Sequence, residues 1–196
     1  QIQNNLNIEF ENVMVTNGAK QAIYNLFQVL LNPGDEVIIP SPYWLSYPQM
    51  VRLAGGKPIF THSSAEDGFK INMKDLKSKI SSKTKFIIIN TPNNPTGRVM
   101  AKEELLQIAD ITRENPSINI LSDEIYELIL KKEFKHHSLS TLANDLKDRI
   151  FIINGFAKGW AMTGWRIGYL VGPKEVIKAS SALQSQSTSN VCSFVQ

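Results

Sequence analysis

The feature that most constrains this chain is a set of short apolar runs, bounded by turn residues and separated by longer amphipathic stretches. Lys85–Ile89 and Ile150–Ile153 are almost wholly apolar. Such runs are too short for core helices and lack the alternation of a half-solvated strand. They read as strands covered on both faces, as in a parallel sheet. Helical periodicity fills the intervals: Lys102–Arg113 sets Leu105, Ile108, Ala109 and Thr112 on one face. Pro173 opens a helix to about Ser185 whose inward face is Val176, Ile177, Ser180 and Leu183. Strand and helix alternate along the chain, which places it in the α/β class with a mainly parallel central sheet.

The same reading predicts strands over Asn12–Val15, Glu36–Ile39, Lys57–Thr61, Ile118–Leu121 and Arg166–Val171. Thr16 and Asn17 are N-cap types for a helix running to about Leu31, and Asn72 caps a helix through Ile80. A short helix is expected over Gln49–Ala54, after a loop, Ser41–Pro48, that is rich in aromatics. Leu128–Thr141 carries no legible periodicity, and Asn190–Gln196 reads as the opening of a further helix.

Composition narrows the class. At 196 residues and 42% hydrophobic, the chain can bury one sizeable core, and one globular domain is expected. The net charge of +3 comes from scattered basic residues, which suits a small acidic ligand and argues against a nucleic-acid partner. No apolar run reaches membrane-span length, Gln1–Phe10 has no leader character, and the single Cys192 has no internal disulfide partner. These point to a cytoplasmic protein. His62, His136 and His137 read as surface or loop residues, without Cys or acid at metal-ligand spacing, so no metal is expected.

Several chemistry-bearing residues stand directly after predicted strands: Gly18, Trp44, Asn94, Asp123 and Lys158. In open α/β sheets ligands bind beyond the carboxyl ends of the strands, so one crevice would collect all five. Each has a plainer explanation alone. Taken alone, Lys158 reads first as a surface lysine and second as a desolvated nucleophilic amine, and Arg166 first as a snorkelling side chain and second as an anion partner. Asp123 is either a helix cap or a buried acid in need of a partner. Trp44 is either a core plug or a stacking face, and Asn94 either part of a rigid turn or a two-way hydrogen-bonding group.

Gly155-Phe156-Ala157-Lys158 followed by Ala161-Met162-Thr163-Gly164-Trp165-Arg166-Ile167-Gly168 resembles the cofactor-lysine signature of the class I and II aminotransferases, which use pyridoxal 5'-phosphate (PLP). The resemblance covers nearly the whole chain, and Ser41–Pro48, Ala161–Tyr169 and Gln184–Asn190 are most similar to the bacterial aspartate aminotransferase branch. It implies the large domain of PLP fold type I, a three-layer α/β/α arrangement over residues 1–196, with an N-terminal arm before Gln1 and a small domain after Gln196. The arginine that grips the substrate α-carboxylate would lie in that small domain.

Carried over by motif, Lys158 would hold PLP as an internal aldimine and shuttle the proton. Asp123 would pair with the pyridine nitrogen, and Tyr126 with the ring hydroxyl. Trp44 would stack on the ring and meet the substrate, and Asn94 would lie near the ring hydroxyl and the substrate carboxylate. Gly18, Ala19, Lys20 and Arg166 would seat the phosphate. The implied activity is transamination between aspartate and 2-oxoglutarate in a homodimer. Another PLP enzyme on the scaffold, an aromatic aminotransferase or β-lyase, or a PLP-sensing domain of a transcription regulator, would share these motifs. One departure stands out: many relatives carry a serine three residues before the lysine, where this chain has Gly155.

Overall fold

The computed structural model describes Leu6 and residues 8–196, so the reading of the Gln1–Phe10 segment falls mainly outside the described residues. Seven strands form one sheet: β1 (Val13–Thr16), β2 (Glu36–Pro40), β3 (Lys57–Thr61), β4 (Thr84–Asn90), β5 (Asn119–Asp123), β6 (Ile150–Gly155) and β7 (Gly168–Val171). Their order is β1-β7-β6-β5-β4-β2-β3. The run from β6 to β3 is parallel throughout, whereas β7 is antiparallel to both β6 and β1. Two reversals cancel, so β1 points the same way as β6.

Alternate residues of each buried strand feed two separate cores. Phe86 and Ile88 of β4, with Phe151 and Ile153 of β6, join the core beneath α1 (Ala19–Leu30), α2 (Ser46–Leu53) and α6 (Lys174–Ser185). Their neighbours Ile87, Ile89, Ile150 and Ile152 face the opposite way, toward α3 (Met73–Ser78), α4 (Lys102–Glu114) and α5 (Leu139–Leu142). This is the three-layer arrangement expected, and it explains the unbroken apolar runs: both faces of the central strands are dry.

Local chemistry moved several boundaries. The Asn72 side chain accepts from Asp75 N at 3.0 Å, capping α3 as its residue type predicts. α2 starts at Ser46 rather than Gln49, because Pro48 sits in the first turn, where its missing N–H has no intrahelical acceptor to lose. On α6, Gln184 is buried in the place foreseen for Leu183, since its amide donates to Val15 O and accepts from Asn25. The illegible Leu128–Thr141 stretch holds turns and the start of α5, and the predicted terminal helix is a short 3-10 turn, Ser193–Val195.

Two corrections bear on the site. The strand expected from Arg166 begins at Gly168 instead, because Thr163–Trp165 forms a 3-10 turn that ends with Arg166 in the left-handed region, φ 54°. Neither Thr16 nor Asn17 caps α1: Gly18 does so at φ 83° and with no side-chain hydrogen bond, while the Thr16 hydroxyl turns to Gly18 O. Only glycine takes that backbone without strain.

Candidate active site

The carboxyl ends of β2, β4, β5 and β6 open on one edge of the sheet, and β1 joins them through the paired reversal. Because β7 runs against the rest, it contributes the residues at its amino end. That places Arg166 on the same edge as Lys158. A cleft of about 240 Å³ lies there. Ala19, Lys20, Trp44, Asn94, Asp123, Tyr126, Lys158 and Arg166 all line it, and Gly18 stands behind Arg166.

Asp123 forms the floor and is only 4% exposed. Its Oδ2 accepts from the Tyr47 hydroxyl at 2.6 Å and its Oδ1 from Ile125 N at 3.2 Å. Burial pushes its pKa up to about 6, although both hydrogen bonds work in the opposite direction. No lysine or arginine among the described residues lies within ion-pair distance of it. A buried acid held this way is a site for a cationic N–H from outside the chain.

The walls are polar on one side and aromatic on the other. Asn94 donates to the Tyr126 hydroxyl at 3.3 Å, and its own N–H is fixed by Asn90 Oδ1 at 2.8 Å. The half-buried Lys158 follows β6 in a turn, with its Nζ 5.7 Å from the Tyr126 ring centre. Opposite, Lys20 Nζ lies 4.9 Å from the Trp44 ring centre.

The outer end of the cleft is cationic and short of acceptors. Arg166 is exposed and, among the described residues, donates only to carbonyls, Thr163 O at 2.8 Å and Asn17 O at 3.5 Å. A Cβ on Gly18 would lie 2.4 Å from its Nη2, so the guanidinium occupies the space that a side chain would fill. The first turn of α1 begins beside it without a side-chain cap, and its leading N–H groups, at Ala19 and Lys20, have no acceptor within the helix. Together these make an anion seat.

Gly155 stands where a side chain has no room. A Cβ there would stand 2.7 Å from both Gly168 Cα and Ile167 O, so the position is closed by the close approach of β6 and β7. Gly168 in turn leaves no room for a Cβ, which would come within 2.4 Å of Ala19 N.

The sequence did not single out Tyr47 or Asn90, both of which hold Asp123: Asn90 Nδ2 donates to the Asp123 carbonyl at 3.0 Å. Tyr47 stood among the loop aromatics with nothing to separate it from Tyr43. His136 lies in a loop, as its residue context suggests, but its side chain is largely buried and paired. Its Nε2 lies 3.1 Å from the fully buried Glu124 and 3.9 Å from Glu127. The chain folds back here, so the absence of acids at ligand spacing along the sequence does not hold in space. Glu124 also accepts from Ser122 and Ser138, and Glu127 from Asn154. Protein donors therefore serve both carboxylates, and none of the three residues lines the cleft.

Residues 2–196 match the family model described as aminotransferase class I and II. The chain is 52% identical to a probable aspartate/prephenate aminotransferase of Rickettsia bellii, over 99% of this chain and 49% of that protein. It is 49% identical to the aspartate aminotransferase of Bacillus subtilis, over 97% and 49%. Among solved structures, the Thermus thermophilus aspartate aminotransferase with maleate superposes with a TM-score of 0.94 at 46% identity, covering 100% of this chain and 50% of that one. The chain spans about half the length of the curated relatives it matches.

Proposed function

The chain belongs to the class I and II aminotransferases, and from that premise we propose that it forms the cofactor-holding domain of an enzyme moving an amino group from aspartate to 2-oxoglutarate. The names of the relatives support aspartate as donor, and the Rickettsia names add prephenate as an acceptor to be tested. The observation that carries the reading is the meeting, in one cleft, of a buried acid without a cation, an amine and an open anion seat.

The donor set fits pyridoxal phosphate on its own chemistry. Bound there, the cofactor supplies a protonated ring that withdraws electrons from the substrate Cα. Lys158 would hold the cofactor covalently, and its Nζ would serve as the base that moves the substrate Cα proton. Asp123 would hold the proton on the ring nitrogen through a charged hydrogen bond in a nearly dry site. Tyr126 and Asn94, already bonded to each other, would serve the ring hydroxyl, and Trp44 would supply a stacking wall. Arg166, the Gly18 turn and the first N–H groups of α1 would hold the phosphate, with Lys20 at the rim.

The whole protein is proposed to work as a cytoplasmic homodimer. No helix among the described residues is long and apolar enough to cross a membrane. Borohydride reduction of the PLP-loaded protein, followed by peptide mapping, tests the assignment: the label is expected on Lys158, and a label on any other lysine overturns it. A panel of amino acids and 2-oxo acids, prephenate included, then separates aspartate transamination from an aromatic aminotransferase or a β-lyase.

A further inference from the structure

We propose that Tyr47 is a positioning residue for Asp123: its phenol clamps one carboxylate oxygen and holds the charged acid toward the cleft without neutralising it. The inference rests on the reading of Asp123 as the partner of the cofactor ring nitrogen, and it extends that reading to a residue that acts through the acid.

Tyr47 is 1% exposed, and its hydroxyl donates to Asp123 Oδ2 at 2.6 Å, the shorter of the two hydrogen bonds to that carboxylate. The clamp is rigid because Tyr47 sits in the first turn of α2, three residues after Trp44, and the two rings meet edge to face at 5.3 Å. One turn of chain therefore fixes both the aromatic wall and the acid beneath it.

The choice of a phenol has a physical reason. Burial and the neighbouring Asp123 hold its ionisation well above the usual tyrosine range, so at neutral pH it only donates. A lysine or arginine here would also steady the carboxylate, but it would cancel the charge that the ring nitrogen needs. A neutral donor favours the ionised acid and leaves its charge in place. The other titratable or charged groups around Asp123 are Glu124 and Tyr126 next to its own strand, Lys20 on α1, Lys158 after β6 and Arg166 before β7. None of these five is hydrogen-bonded to the carboxylate, which among the described residues takes its one side-chain donor from Tyr47.

The test follows the Asp123 carboxyl carbon by NMR through a pH titration of the unloaded protein. In Tyr47→Phe its midpoint is expected to rise by about one pH unit, as for loss of a hydrogen bond to a buried carboxylate. A folded Tyr47→Phe with an unmoved or lowered midpoint overturns the proposal. Should that variant fail to fold, fluorotyrosine at position 47 keeps the shape and strengthens the donor. The midpoint then falls if the phenol clamps the acid, and an unmoved midpoint overturns the proposal. Borohydride labelling of Lys158 is read in parallel on PLP-loaded samples. Loss of that label in the unaltered protein would sink the cofactor reading while leaving the carboxyl titration intact, so the two failures are distinguishable.

Discussion

Asp123 carries a conflict between stability and use. Its folded-state pKa of about 6 lies above its ordinary 3.8, so the folded chain binds that proton more tightly than the unfolded one. The stability tied to it is complete below the ordinary value and is lost as pH rises through about 6. At roughly 1.4 kcal/mol per pH unit, ionising the buried acid costs about 3 kcal/mol at pH 8. Asp123→Asn is therefore expected to raise the stability of the unloaded protein at pH 8 by about 1–3 kcal/mol, with the gain vanishing below pH 4, while ring-nitrogen protonation in the loaded protein is lost. Urea midpoints at the two pH values check the first half, and the absorbance of bound PLP the second. A gain of equal size at both pH values would contradict the assignment of the cost to ionisation.

At the level of elements, what the sequence made legible follows from what is periodic. The both-faces burial of Phe86–Ile89 and Ile150–Ile153 was readable because packing on two sides removes the polar alternation. The Lys158 and Asp123 positions were readable because each follows such a strand. Arg166 lay inside an apolar run and read as strand, since nothing in residue type marks the left-handed turn that aims it. Tyr47 and His136 escaped for a related reason: their partners are 76 and 12 residues away, and only the closed fold brings them together. Gly155 shows the same limit: nothing in the sequence marks the close approach of β6 and β7 that it permits. Gly155→Ser is expected to destabilise the protein by about 1–3 kcal/mol, the usual cost of overpacking, with no gain in phosphate affinity. Thermal unfolding and phosphate titration of the variant check both halves.

At the scale of the molecule, the anion seat joins the first and last strands in sequence, which lie side by side at one edge of the sheet: Arg166 and Asn17 stand 149 residues apart yet share a hydrogen bond. Inorganic phosphate is expected to stabilise the unloaded chain, by about 2.7 kcal/mol at a hundred times its dissociation constant. Arg166→Ala is expected to weaken that response about tenfold or more, as read from melting temperature against phosphate concentration. An unchanged response would remove Arg166 from the seat. A chain emerging from the ribosome completes α1 long before residue 166 exists, so the ligand has nothing complete to grasp until the sheet has closed. The cofactor is thus a seal and not a seed: its binding should slow the opening of a finished molecule and leave the rate of its first assembly unchanged.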